Sequence, residues 1–176
     1  PDTYSSYYYL GKILKEGKDI PGAIKAFEKA QRDPDFKMKA IIERGTCYMA
    51  VNRADNAIPD FQRAIELDKT GTKPETVYAR YFLASCYESI RKIDKAIEQW
   101  EQIYKRDKTF RDVGAKLTEY KDLQSNDYLK DYLIANDDEF GEICKLASLT
   151  ALNLKVLTCT VKKWGCQITG VDQKSD

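Results

Sequence analysis

The sequence contains no histidine at all. That absence removes the usual general base, the middle member of the common hydrolytic triads and the commonest metal ligand. Catalysis by other groups survives, but its cheapest routes do not. Cysteine is sparse and odd in number: Cys47, Cys86, Cys144, Cys159 and Cys166, with no CxxC pair. This pattern reads as buried, reduced thiols and not as a metal site or cofactor anchor. Unpaired thiols favour a cytoplasmic setting, while a membrane-anchored or periplasmic full-length parent stays compatible with them. A surplus of positive charge is also missing, since 29 Lys and Arg face 28 Asp and Glu. Phosphate neutralisation supplies most of the affinity of nucleic-acid binders, so the balance disfavours that class. No apolar run approaches the roughly 20 residues of a spanning helix. The most apolar stretch, residues 143–161, is interrupted by Lys145, Asn153 and Lys155. No signal-peptide pattern opens the chain, and the first residue is Pro1, which reads as an excised piece or a mature form.

What is present is an ordinary globular composition, 43% hydrophobic and 32% charged over 176 residues. That length accommodates one domain and a smaller appendage. Within it the sequence repeats itself. Gly11, Ala23, Ile24, Phe27 and Ala30 recur 34 residues later as Gly45, Ala57, Ile58, Phe61 and Ala64. A third copy follows at an offset of 39, where Cys47, Tyr48, Asp55, Ala57 and Phe61 become Cys86, Tyr87, Asp94, Ala96 and Trp100. The added residues fall between Asp68 and Val77, around Gly71 and Pro74, and read as a lengthened loop. Loop insertion costs little, so the third copy can still stack on the second.

Each copy divides into two helices. The first spans about 4–16, with Tyr7, Leu10 and Leu14 on one face and Gly17 as its expected C-terminal cap. Asp19 is placed to cap the second, with Pro21 in its first turn and Ala23, Ile24, Phe27 and Ala30 inward. Asp55 and Asp94 are expected to repeat that cap. Small residues at Gly11, Gly45 and Ala84 allow the paired helices to approach closely, and Phe27, Phe61 and Trp100 are expected to plug the gaps between neighbouring pairs.

At these positions the chain resembles the tetratricopeptide repeat family. Tyr7, Leu10, Gly11, Leu14, Ala23, Phe27 and Ala30 follow its pattern, and so do Ile41, Gly45, Tyr48, Ala57, Phe61 and Ala64. The third copy fits through Leu83, Ala84, Tyr87, Ala96 and Trp100, with Ile103 in place of the late Ala. The Pro that commonly follows the second helix is poorly kept: Pro34 comes close, while Lys69 and Lys108 stand at the later equivalents. The resemblance covers about residues 4–110 and implies a mainly α fold, a right-handed solenoid of helix hairpins. A terminal cap is needed by such arrays. Residues 110–123, with Val113, Leu117 and Tyr120 along one side, supply a candidate, so the array is expected to occupy 4–122.

Residues 123–176 read as a small α+β extension. A short helix over 125–134, a second from Glu139 to about Leu149 capped within Asn136–Asp138, and a β-hairpin of 154–161 and 164–171 are predicted. A lone hairpin is marginal in water, so it must pack on the helices or open a further domain. Asp172 with Lys174 two residues on gives a faint resemblance to the opening of restriction-endonuclease-like nucleases. Too few of that family's carboxylates are present to carry over any catalytic role.

The repeat family usually holds its ligand in a concave groove lined by the first helix of each pair. Carried over copy by copy, the groove positions are Tyr8, Ile42 and Tyr81, then Lys12, Thr46 and Ser85, then Lys15, Met49 and Glu88, with Ser5, Lys39 and Tyr78 at the edge. The first row forms an aromatic and aliphatic stripe, and rigid aromatics make good anchors because they lose little entropy on immobilisation. The competing readings are that the C-terminal segment folds back over these residues or that they pack within the solenoid. Family members that clasp the acidic C-terminus of chaperones use Lys, Arg and Asn where this chain has Tyr8, Lys12, Glu43, Tyr78 and Phe82. Glu43 would repel a carboxylate, so the chaperone clamp is disfavoured. The tyrosines at 4, 7, 8 and 9 beside Lys12 and Lys15 could stack bases, but they suit helix core and groove lining better.

The expected role is therefore a non-enzymatic scaffold or assembly factor that binds a peptide or helix of another protein, with no cofactor and no metal. Its layout resembles that of bacterial proteins that assemble larger machines, flagellar accessory proteins among them. The exposed ends of a solenoid leave self-association as a second kind of contact. The competing class is an interaction module joined to a nuclease-like domain that starts near residue 125.

Overall fold

The computed structural model describes residues 4–124, 135–162 and 165–173. Among them run helices α1 (Tyr4–Glu16), α2 (Ile20–Ala30), α3 (Lys37–Ala50), α4 (Ala54–Glu66), α5 (Pro74–Ser89), α6 (Ile93–Arg106) and α7 (Val113–Gln124). After residue 135 come α8 (Asp137–Leu152) and strands β1 (Leu154–Lys162) and β2 (Gly165–Asp172). The helix predicted over 125–134 lies outside the described residues. Two compact units form, Pro1–Leu117 and Thr118–Asp176, dividing inside α7, where the sequence placed the boundary at 122–123.

In the first unit, sequential helices pair as α1 with α2, α3 with α4 and α5 with α6. The template residues explain why. A β-carbon at Gly11 would lie 2.7 Å from Phe27 Cε1, and one at Gly45 the same distance from Phe61 Cε1. The backbone of each first helix thus lies directly against the ring of its partner helix. Phe27 and Phe61 fill their own pair as well as the expected gap to the next one: Phe27 shares a buried cluster with Ala40 and Cys47 of α3. Phe61 stacks on Phe82 of α5 at 5.6 Å between ring centroids. Ala23, Phe27, Ala30, Ala57, Phe61, Ala64, Ala96, Trp100 and Ile103 are all buried, as the repeat required. Burying such side chains contributes roughly 1.5–3 kcal/mol for each large one, which is what holds the hairpins closed.

The turn inside each pair is the same device three times. Lys18, Asn52 and Arg91 adopt left-handed backbone, with φ of 63°, 56° and 60°. The following amides of Asp19, Arg53 and Lys92 donate back to the carbonyls of Leu14, Tyr48 and Tyr87 at 2.9, 2.9 and 2.8 Å. That bond closes a helix end as in a Schellman motif. The left-handed residue is Lys18 and not Gly17, a correction to the cap read from sequence. Asp19 does cap α2, accepting the Gly22 amide at 3.0 Å. Asp55 and Asp94 do not repeat it: Arg53 and Lys92 occupy the capping positions, and the two carboxylates sit in the first turns. There they favour the positive end of the helix dipole instead.

The lengthened loop before α5 is organised by Asp68, which is buried. Its carboxylate accepts the Thr76 hydroxyl at 2.6 Å, the Lys73 amide at 2.8 Å and the Thr70 hydroxyl at 2.9 Å. The Thr76 bond, reinforced by the others, holds its pKa far below the carboxylate range. Between α3 and α4, Arg44 makes a bidentate pair with Asp60 at 2.8 and 2.6 Å, both side chains largely buried. The first turn of α7 covers the last pair, with Val113 fully buried and Lys116 Nζ 5.8 Å above the Trp100 ring.

In the second unit, Asn136 and Glu139 form a reciprocal capping box at the start of α8, which begins two residues earlier than predicted. Strands β1 and β2 form the expected antiparallel hairpin, with an irregularity between Val156 and Thr158. The hairpin packs on α8 through Gly141, where a β-carbon would meet Val161 Cγ2 at 3.3 Å and Cys159 Sγ at 3.7 Å. Asp172 ends β2, and Lys174 lies outside the described residues.

Candidate functional site

The first helices α1, α3 and α5 and the start of α7 stand in sequence, and an ion pair joins each neighbouring two. Lys12 and Lys15 of α1 both reach Glu43 of α3, at 3.0 and 2.7 Å. Lys39 of α3 meets Glu75 of α5 at 3.7 Å, and Glu88 of α5 meets Lys116 of α7 at 2.6 Å. Burial would raise the Glu43 pKa, but the hydrogen bonds from Lys15 and Lys12 outweigh it and the net shift is downward. The same contact raises the pKa of Lys12. Lys15 also donates to the Thr46 hydroxyl at 2.7 Å, and that hydroxyl donates to the Glu43 carbonyl at 2.8 Å. The middle of this face is thus polar, and each of its three glutamates is paired with at least one lysine.

Aromatic clusters flank it. At the α1 end, Tyr8 and Tyr9 both pack on Phe36, at 5.0 and 5.7 Å between ring centroids, with Tyr9 59% exposed. At the α5 end, Tyr78 and Tyr81 lie edge-on to Phe110, at 5.3 and 5.8 Å. Arg111, itself in left-handed backbone, lays its guanidinium 4.8 Å from the Tyr81 ring and 5.5 Å from Tyr78. Such contacts are worth roughly 0.5–1 kcal/mol at exposed positions. The Tyr81 hydroxyl donates to Asp112 at 2.9 Å. Burial, then Asp112, raises the Tyr81 pKa, while burial and Glu43 raise that of Tyr8, so both phenols stay protonated.

The ten residues singled out from sequence therefore fall into distinct environments. Tyr8, Tyr78 and Tyr81 belong to the aromatic clusters, with Tyr78 42% exposed. Lys12, Lys15, Thr46 and Glu88 are held in the polar network. Ser85 donates to the Tyr81 carbonyl of its own helix, and Met49 is half-buried. Ile42 is buried, so the middle copy contributes core where the outer copies contribute aromatics. Ser5 is half-buried and Lys39 is paired with Glu75. Sequence reasoning missed Phe36, Phe110, Arg111, Asp112 and Lys116. The available signal was a phenylalanine set in each of two otherwise polar loops, 33–37 and 107–112. Phe82, one of the clamp positions, is committed to Phe61.

Among the described residues no group of three or more Cys, Asp or Glu side chains could hold a metal, and no helix is long and apolar enough to cross a membrane.

A tetratricopeptide repeat family model matches residues 42–110, and a second matches residues 5–35. Among curated proteins, a UDP-N-acetylglucosamine--peptide N-acetylglucosaminyltransferase of Giardia intestinalis is 33% identical over 69 residues, 39% of this chain and 5% of the transferase. The chain thus spans a small fraction of that relative's length. Solved structures that share the fold include the following two. The first tetratricopeptide repeat domain of Spaghetti (RPAP3), bound to the HSP90 peptide SRMEEVD, matches with TM-score 0.61 at 12% identity, over 70% of this chain and 94% of that one. MamA matches with TM-score 0.61 at 22% identity, over 86% of this chain and 82% of that one. From the Gly11–Phe27 packing through the thrice-repeated turn to these matches, the chain is a tetratricopeptide repeat protein.

Proposed function

We propose that the repeat array is an interaction module, not an enzyme, which holds a segment of another protein along α1, α3 and α5. The observation that carries this reading is the pair of aromatic clusters at the two ends of a row of helices joined by ion pairs. Tyr8, Tyr9 and Phe36 form one; Tyr78, Tyr81 and Phe110 form the other. Each ring is fixed by its neighbours before any partner arrives, which lowers the entropy lost on binding. A bound segment would be an extended strand or helix with apolar or aromatic side chains spaced to reach both clusters.

A chaperone-type acidic C-terminus suits this surface poorly. Of the five clamp positions, Lys12 supplies a cation, and it is tied to Glu43 at 3.0 Å. Releasing it would leave the largely buried Glu43 with Lys15 as its remaining cation. Capture of a carboxylate would therefore have to break an ion pair to form one.

A random peptide library displayed on phage and selected against the protein tests the reading. The expected peptides are rich in apolar and aromatic residues, and their affinity falls at least tenfold in Tyr8→Ala and Tyr78→Ala variants whose helical circular dichroism is intact. Selection of peptides that depend on a free acidic C-terminus and on Lys12, or no response to either tyrosine, overturns it.

A further inference from the structure

The five cysteines are not equivalent: Cys47 and Cys86 are buried in the repeat array, whereas Cys159 and Cys166 face each other across the hairpin. Their sulfurs are 3.1 Å apart. The strand register accounts for this. Cys159 is opposite Ile168 and Cys166 is opposite Val161, so the two cysteines sit diagonally, two residues apart, on one face of the hairpin. That face is the one turned to α8, where Cys159 Sγ points at the Gly141 carbonyl from 3.6 Å. Both thiols are half-buried, which leaves them within reach of a small reagent while their mutual position is fixed by the strands and by α8.

We infer that Cys159 and Cys166 form a thiol pair that closes to an intramolecular disulfide when the protein meets a small-molecule disulfide of the glutathione class. One of the two thiolates attacks a sulfur of the small disulfide, forming a mixed disulfide and expelling one small thiolate. The other then attacks the protein sulfur of that mixed bond, forms the Cys159–Cys166 bond and expels the second small thiolate. The two protons lost by the protein thiols end on the two expelled thiolates, and the two electrons lost by the protein reduce the small disulfide. The closing bond needs the sulfurs to approach by about 1 Å, a displacement side-chain torsions at a two-stranded ribbon can supply.

No cysteine belongs to the row of first-helix residues proposed to hold a partner, so this chemistry and that binding fail independently. The test is incubation of the whole chain with oxidised glutathione, followed by alkylation, digestion and mass mapping. The expected product has lost two hydrogens, retains three of five alkylatable thiols and yields one cross-linked peptide joining Cys159 to Cys166. In a Cys159→Ser variant the mixed disulfide on Cys166 should persist, accumulating at least ~10-fold over wild type, since its neighbouring thiol is gone. A stable glutathione adduct on Cys159 or Cys166 of the wild type without a cross-link overturns the inference. So does a cross-link from either residue to Cys144. Peptide mapping of the wild type decides the matter even where the variant folds poorly.

Discussion

Gly11 and Phe27 occupy what would otherwise be one volume: a β-carbon on the glycine would lie 2.7 Å from the ring. The glycine is there because the phenylalanine is, and the same holds for Gly45 and Phe61. In the third copy the pairing changes to Ala84 with Trp100, both buried. Gly11→Ala should cost about 1 kcal/mol net, since overpacking costs roughly 1–3 kcal/mol and removing a helical glycine returns close to 1. Phe27→Leu alone also destabilises. The double variant should lose less than the sum, a coupling that urea denaturation of all four proteins measures directly. Strict additivity would contradict the packing.

Lys18 pays a conformational cost that glycine avoids. Its left-handed backbone, φ 63°, is disfavoured for an L residue carrying a β-carbon by roughly 1–2 kcal/mol. Lys18→Gly should raise stability by about 0.5–1 kcal/mol once the greater flexibility of unfolded glycine is deducted. Gly17→Ala should be tolerated or mildly stabilising, because Gly17 lies outside the left-handed region and an added β-carbon meets nothing nearer than 3.4 Å, whereas a left-handed Gly17 would make the same change destabilising. A rise in thermal midpoint for Lys18→Gly with no fall for Gly17→Ala checks the assignment.

The Arg44–Asp60 pair predicts an asymmetry. Asp60→Ala leaves a largely buried guanidinium without its carboxylate and should cost about 3 kcal/mol. Replacing both, as in Arg44→Met with Asp60→Leu, should cost much less, because no charge is then stranded. Equal losses in the two proteins would show that the pair's environment is wetter than its burial suggests.

Glu43 gives the array a pH dependence whose sign follows from its environment. Its folded pKa lies below the ordinary 4.5, so its contribution is fully present above that value and is lost as pH falls through the folded pKa. Glu43→Gln should cost about 1 kcal/mol at neutral pH, as the lysines it holds are partly exposed. The difference between wild type and variant should be flat above 4.5 and shrink in more acidic solution. A difference that grows on acidification contradicts the ion-pair account.

Much of the repeat frame could be read in advance because it depends on residues that physics makes nearly irreplaceable. Gly11, Gly45, Phe27 and Phe61 answer to a single steric requirement and recur at a fixed spacing. The turns were misread for the opposite reason. Gly17 suggested a left-handed cap by its identity, yet the chain places that conformation one residue later, where three different side chains tolerate it. Asp55 and Asp94 look like Asp19 but lie two positions further into their helices, so composition alone could not distinguish a cap from a first-turn charge. The proposed binding face was half legible. Its tyrosines lie on helices and obey the repeat, whereas Phe36, Phe110 and Arg111 come from loops whose lengths differ. The facing of Cys159 and Cys166 depended on strand register, which a seven-residue spacing does not reveal.

The central claim, that partners lie along the first helices, is tested most directly by site-specific photocrosslinking to a library-selected peptide. A photoreactive residue would replace Tyr9 or Tyr78 on α1 and α5, and Lys25 or Glu98 on the second helices α2 and α6. The account predicts crosslinks from positions 9 and 78 and none from 25 and 98. Crosslinks from the second helices alone would contradict it.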